Sequence, residues 1–276
     1  MSIISNMNVF IHRRDLRTED NTTLLKMLDI LKKEKDNNFQ PIFIFNPKQI
    51  FPEKNPFYSS NLVEFLCDSL QDLYKKYQKR NYIMNVYEGD TIKVLEAIHK
   101  KTPIKRLGFN SDYSPFSKKR DSQITKWLKD NNIECINEED MLLEPIHSKR
   151  GLNPNSQKPY VVFTPFMKNL KKYNVPVVNT KKIKKTLESL EIKTKYSIKI
   201  EDITKYYKHN PESHVKGGRK NGLQILKNIK VYNDYDEKRN YLTYSTTNLS
   251  AYINLGLLSI REIYYTIYNE INKNSG

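Results

Sequence analysis

Over the first half of the chain, short apolar runs alternate with longer stretches of helical spacing. Residues 9–12 (VFIH) read as a strand, and Asn21 then caps a helix that carries Leu24, Leu28 and Leu31 on one face. The continuous apolar run 41–45 is short enough for a buried strand, and Leu62, Phe65, Leu66, Leu70 and Leu73 follow it at helical spacing. Residues 82–87 predict a third strand, and Glu88-Gly89-Asp90 turns into a helix with Ile92, Leu95 and Ile98. Residues 104–109 are the fourth strand, and 116–129 form a helix with Ile124, Trp127 and Leu128 inward. Residues 133–136 are the fifth strand. Five strands separated by helices predict an α/β fold built on a doubly wound, five-stranded parallel sheet of Rossmann-like type.

The pattern then changes. From about 140 to 215 no period is sustained, and Pro145, Pro154, Pro159, Pro165 and Pro176 punctuate the stretch. From Gly217-Gly218 onward the spacing is helical, without a convincing strand. The expected organisation is an α/β domain over 1–140, a connector over 141–215 and the beginning of an all-helical domain over 216–276. The 276 residues can bury a sizeable core.

Composition narrows this little. No apolar run reaches the length of a membrane span, and MSIISN is no signal peptide. The expectation is an intracellular protein, cytoplasmic or nuclear, with no membrane partner. Cys67 and Cys135 stand alone in a helical and a strand pattern, which argues against a disulfide framework or a zinc site. The excess of 47 Lys+Arg over 31 Asp+Glu, a net +16, fits a polyanionic partner such as DNA. Only 10 of the 47 are Arg, however, and AT-rich coding DNA by itself produces a chain this rich in Lys, Asn, Ile and Tyr.

Several chemistries lose ground by what is missing. The first strand is not followed by G-x-G-x-x-G, and G-x-x-x-x-G-K-S/T occurs nowhere, so no glycine-built phosphate cradle is present. Five scattered histidines offer no metal-ligand spacing, and no nucleophile elbow is seen. The stretch HRRDLRTEDN (12–21) places Arg13, Arg14, Asp15 and Arg17 at the first turn. It reads as an anion site or, better supported by residue type, as Asp15 paired with a neighbouring arginine to lock the turn. In KPYVVFTPF (158–166), Thr164 before Pro165 predicts an N-cap, with Phe163 and Phe166 clamping the helix start onto a core.

GGRKNGLQILKNI (217–229) is a glycine turn into a helix with Leu223, Leu226 and Ile229 inward. Between Tyr235 and Ser250, the run STTNLS (245–250) sets consecutive hydroxyls before a helical pattern. That is either a phosphate site without glycines or a Ser/Thr turn with Ser250 as N-cap. Gly256 ends a short helix, and Ser259 to Glu262 forms a capping box for the next.

In order and spacing these pieces resemble the DNA photolyase/cryptochrome family. HRRDLRTEDN is similar to that family's N-terminal signature, and KPYVVFTPF to its K-P-Y-x-V-F-T-P-F connector segment. GGRKNGLQIL (217–226) resembles the opening of its helical domain, and TTNLSAYINLGLLSIRE (246–262) its T-S-x-L-S-x-x-L-x-x-G-x-L-S-P-R segment. The resemblance implies an antenna-type α/β domain, a helical domain holding FAD, and light-driven repair of pyrimidine dimers in DNA by electron transfer from reduced flavin. It places Tyr235, Thr246, Thr247, Asn248, Leu249 and Ser250 at flavin-binding positions and Arg239 near the DNA-binding face. It assigns no catalytic residue.

The departures carry expectations of their own. Met167 stands where the family has Trp, Asn248 where Arg is common, Ile260 where Pro is usual and Arg219 where an acid is usual. Trp127, the only Trp, lies in the α/β part and supplies no electron relay. The stretch 112–121 keeps the family outline without the Asn-Glu pair of folate-binding members, which argues against an antenna folate and leaves the antenna chromophore open. Ending at Gly276, the chain has little more than half the usual family length, so a second polypeptide is expected to supply the remaining helices. The alternatives are a non-catalytic truncated remnant, a weak DNA-binding α/β domain, or a cryptochrome-like flavin light sensor.

Overall fold

The computed structural model describes residues 6–183 and 186–273. Five parallel strands, β1 (Met7–His12), β2 (Phe39–Phe45), β3 (Asn85–Glu88), β4 (Ile104–Asn110) and β5 (Glu134–Glu138), form one sheet in the order β3-β2-β1-β4-β5. Between them run α1 (Thr22–Glu34), α2 (Pro47–Ile50), α3 (Ser60–Gln78), α4 (Thr91–Lys101) and α5 (Pro115–Asp130). After the sheet come α6 (Phe163–Leu170), α7 (Arg219–Lys227), α8 (Tyr235–Lys238), α9 (Leu249–Asn254) and α10 (Ile260–Lys273). This is the doubly wound α/β architecture expected from the pattern.

The helix starts follow from local chemistry. The side chains of Asn21, Asp90 and Ser114 accept from the backbone N–H groups of Leu24 (3.2 Å), Ile92 (3.1 Å) and Ser117 (3.2 Å), satisfying donors that a helix start leaves free. Alternate residues of the central strand enter opposite cores. Phe10 joins Phe43, Phe45, Leu70 and Leu73, whereas Val9 and Ile11 join Ile42, Leu107, Phe109 and Trp127. Leu226, Leu249, Tyr252, Leu257, Leu258 and Ile263 belong to the first core, so the C-terminal helices pack on the same side as α3.

The polar residues of the fully buried β1 are satisfied. Asn8 donates to Asn38 O (2.8 Å) and Asp36 (3.0 Å), and His12 Nε2 meets the Tyr77 hydroxyl at 2.7 Å.

Three expectations about strands and connector need revision. β3 begins at Asn85, not at residue 82, because Ile83 uses side chains in place of a ladder. Its carbonyl accepts from Gln40 Nε2 (2.7 Å) and its N–H donates to Ser189 Oγ (2.7 Å). Part of the connector also lies along the β3 edge. Ile198 N donates to Val86 O (3.0 Å) and Glu88 N to Tyr196 O (2.8 Å), which pairs an otherwise open sheet edge. Ile183, Ile192, Ile200, Ile203 and Tyr206 are correspondingly buried. In KPYVVFTPF, α6 starts at Phe163 behind Val162, with no side-chain cap, so Thr164 lies inside the first turn. Phe163 is 71% exposed and clamps nothing onto a core.

Two helical details also differ. Leu223 points outward at 39% exposure while Leu226 is buried, because α7 presents Gly222 and Leu226 to Tyr252 and Leu258. Ser250 lies within α9, whose cap position is Asn248 at φ +52°. The capping box forms as expected, with Ser259 N donating to Glu262 Oε2 at 3.1 Å.

Candidate functional site

The first turn is locked, though by different partners from those expected. Among the described residues, Asp15 pairs with no arginine side chain. It accepts from the N–H of Arg13 (2.6 Å) and from the side-chain amide of Asn110 (2.6 Å), beside His12 (3.6 Å). Each arginine reaches a distant carboxylate instead: Arg13 to Asp121, Arg14 to Asp112 at 3.3 Å and Arg17 to Asp140 at 2.6 Å. The turn is therefore the hub of long-range contacts.

Burial alone would push the Asp15 carboxyl up. The hydrogen bond and charge of His12, with the donors on Arg13 and Asn110, outweigh it and bring the group to about 2. A carboxylate held below its unfolded value stabilises the fold above about pH 4, and the contribution fades as pH falls toward 2. The expected size is about 2 kcal/mol. Urea midpoints measured from pH 5 to pH 2.5 should fall more steeply for the parent than for Asp15→Asn; parallel curves would disprove the assignment.

A second buried cluster joins the α/β domain to α10. Asp140 Oδ1 accepts from Arg261 (3.0 Å) and the Thr22 hydroxyl (2.7 Å), while its Oδ2 takes Arg17. Asp20 accepts from Arg261 Nε at 2.7 Å and from the Ser259 hydroxyl. Arg17 also donates to Gly256 O at 3.0 Å, and Leu16 N to Leu255 O at 3.1 Å.

At the carboxyl ends of β1 and β2, beside the start of α5, lies a cavity of about 510 Å³. The sheet order reverses at β1, since β2 lies on one side and β4 on the other, and open α/β sheets bind ligands at such a switch point. The walls are mostly apolar, with Ile11, Phe43, Phe45, Phe57, Phe116 and Ile124. Arg13, Arg14 and Arg120 reach it, facing two carboxylates, Asp112 and Asp121. Arg120 Nε donates to Asp121 at 3.1 Å, but its Nη2 is buried without a partner among the described residues. Burial and the neighbouring charge of Arg13 disfavour the charged form of Arg120. An apolar cavity with an orphaned cationic donor fits a flat aromatic ligand that carries an anionic group.

The sequence pattern alone did not single out Arg120, Asp112 or Asp121. Ser114-Pro115, a cap followed by a first-turn proline directly after a strand, was the available signal.

The hydroxyl-rich segment borders a separate open groove of about 750 Å³, walled opposite by Leu62, Phe65, His214 and Val215. Of the six flavin-binding candidates, Thr246 and Asn248 line it, but Tyr235, Thr247, Leu249 and Ser250 do not. Leu249 is buried in the core, and Thr247 Oγ1 accepts from its N–H at 3.3 Å. Tyr235, 41% exposed, opens α8, and Arg239 follows that helix near Asp236 at 3.9 Å. The Tyr244 hydroxyl donates to Asp234 at 2.8 Å and ties the groove rim to α8. Among the described residues there is no cluster able to hold a metal ion, and no helix long and apolar enough to cross a membrane.

Comparison with known proteins agrees with this geometry. An archaeal photolyase from Sulfolobus tokodaii, described with two FAD molecules that imply a novel light-harvesting cofactor, is 30% identical with a TM-score of 0.77, over 94% of this chain and 54% of its own. The deoxyribodipyrimidine photo-lyase of Synechococcus sp. is 28% identical over 161 residues, 58% of this chain and 31% of that protein. Cryptochrome-1 of Aedes aegypti is 24% identical over 296 residues, 96% of this chain and 52% of that protein. The chain thus spans from about a third to just over half of these relatives. The family model described as DNA photolyase matches residues 8–185, most of the chain and all five strands with the cavity at their ends, and the chain belongs to the DNA photolyase family.

Proposed function

We propose that this protein is a light-driven flavoprotein acting on pyrimidine dimers in DNA, with FAD against the 242–254 groove and a light-harvesting aromatic cofactor in the strand-end cavity. The observation that carries the reading is that cavity: apolar walls, a place at the topological switch point, and an orphaned Arg120 Nη2. The Sulfolobus relative with two FAD molecules makes a phosphate-bearing flavin the favoured occupant. A bound reduced flavin supplies light-driven transfer of an electron to the dimer and its return.

The chain's own residues would do the holding. Thr246 and Asn248 offer a hydroxyl and an amide to the diphosphate, and Arg120 offers its free donor to the phosphate of the antenna cofactor. Phe57 and Phe116 give the ring system apolar contact and exclude water. The basic surface favours a DNA partner.

The test is an absorption spectrum of the chain after reconstitution with FAD, followed by dimer repair under blue light. Flavin bands with light-dependent repair support the reading, and a folded chain without flavin overturns it. Arg120→Met should weaken flavin mononucleotide binding by roughly 10-fold or more, the value of a charge-assisted hydrogen bond, as read by flavin fluorescence titration. The alignment of cryptochrome-1 over 96% of the chain favours a second reading, a flavin light sensor, which bound flavin without repair would support.

A further inference from the structure

At the start of α6 a run of apolar side chains stands open to solvent. Val161 is 100% exposed, Val162 60% and Phe163 71%, three consecutive residues. Single apolar residues on a surface are ordinary, but adjacent ones form a patch, and patches mark interaction sites. Among the described residues of α6, Asn169 alone is buried, and its Nδ2 donates to Arg150 O at 2.7 Å. Phe166 turns toward Tyr160, with ring centroids 6.1 Å apart. Phe163, Met167 and Lys171 stand at i, i+4 and i+8, so they share one ridge that ends in a cation. An eight-residue helix depends on packing more than on propensity, and α6 is packed on one side only.

The charge around the patch has one sign. Over 150–180 the sequence holds four lysines and no Asp or Glu. Lys158, Lys168, Lys171 and Lys172 are exposed, and among the described residues none has an ion-pair partner. Arg150 is already engaged, with Glu144 at 3.1 Å and over the Tyr173 ring. The dipole of α6 favours Lys168 and Lys171 near its end. It explains neither Lys158 nor the open run 161–163.

We infer that this face docks an acidic amphipathic helix of a partner protein. The partner's apolar side chains meet Val161, Phe163 and Met167, and its carboxylates meet the lysines of the same stretch. Charge selects this occupant. A second copy of the chain would set lysine against lysine, under a net charge of +16 on each. A helix seated on a bilayer presents a long apolar face, whereas Phe166, Met167 and Leu170 are half-buried and only 161–163 protrude. A phosphate backbone would leave Val161 and Phe163 without a use. Residues 158–172 line neither the strand-end cavity nor the 242–254 groove, so the inference does not depend on bound flavin.

The full chain, without cofactor, is titrated by fluorescence anisotropy with a labelled helical peptide of about four turns. The peptide carries Leu at i, i+3, i+4 and i+7 and Glu at the flanking positions. The same residues in scrambled order keep the charge but lose the apolar face, and should bind roughly 10-fold more weakly. V161S/F163S should weaken the ordered peptide by roughly 10-fold or more, the value of burying one large apolar side chain. K168Q/K171Q/K172Q should weaken it as well and flatten its salt dependence. V231S and K126Q/K129Q change exposed residues elsewhere and should leave binding unchanged. No binding of the ordered peptide, equal binding of both peptides, or binding that V161S/F163S leaves intact would each overturn the inference. If the ordered peptide does not bind while V161S/F163S abolishes self-association in sedimentation, the face belongs to a second copy. If it instead abolishes binding to phosphatidylserine vesicles, the face belongs to lipid.

Discussion

Asp140→Ala unfolds the protein more readily than any other single change at the cluster around Arg17, with an expected loss of roughly 3–5 kcal/mol. The carboxylate is 1% exposed and serves Arg17, Arg261 and both donors of Thr22. Without it, two guanidinium groups remain buried, Arg17 at 2% and Arg261 at 11% exposure; Arg261 keeps the Asp20 carboxylate, while Arg17 keeps, among the described residues, only the carbonyl oxygens of Glu19, Asp20 and Gly256. The penalty is the desolvation of uncompensated charge, which exceeds the net value of the intact pair. Removing Arg17 as well should therefore give back part of the loss. Urea denaturation of Asp140→Ala and of the Arg17→Met/Asp140→Ala double variant checks both statements. A single-variant loss below about 1 kcal/mol would mean that water reaches the cluster.

Gly256→Ala is expected to cost about 3 kcal/mol, although it adds one methyl group. Gly256 sits at φ +59°, and a Cβ there would lie 2.3 Å from Arg14 O and 2.8 Å from Asp15 Cα. Both neighbours are backbone atoms of the first turn, which the Asp15 and Arg17 bonds hold in place. The chain cannot relieve the contact by turning a side chain. The C-terminal segment should lift from the turn, breaking the Leu16 N to Leu255 O bond. Urea melts and limited proteolysis around 240–260 would show this. Gly256→Asn separates the causes, since Asn tolerates a left-handed backbone but still carries Cβ. Normal stability for Gly256→Asn would assign the whole effect to the backbone angle.

The sheet was legible because its information is local. The first two strands are short apolar runs, and Asn21 and Asp90 mark their helix starts within three residues of the N–H groups they cap, whereas the Ser114 cap went unread and its helix was expected to begin at 116. The Ser259 to Glu262 box was legible for the same reason. Residues 82–84 misled because their partners are the side chains of Gln40 and Ser189, which leave no alternating pattern. The buried isoleucines of the connector stand singly and produce no period. The partners of the first turn were out of reach, since Arg13 and Asp121 are 108 positions apart and Arg17 and Asp140 are 123 apart. Ser250 lost its cap position because Asn248 takes a left-handed conformation, a choice that composition leaves open.

The arginine turn that opens the fold also sets an order of events during synthesis. Arg17 reaches Gly256 across 239 positions, and Asp20 reaches Arg261 across 241. A ribosome adding about 5–20 residues per second needs on the order of 10–50 s to cover that distance. In the second half of that interval all five strands, which end at Glu138, have been made and can assemble, while Arg17 and Asp20 still await these partners. The arginine turn is thus among the last parts of the described fold to be completed: Arg17 can meet Asp140 earlier, but the Asp20 carboxylate must stay in water until Arg261 of α10 arrives.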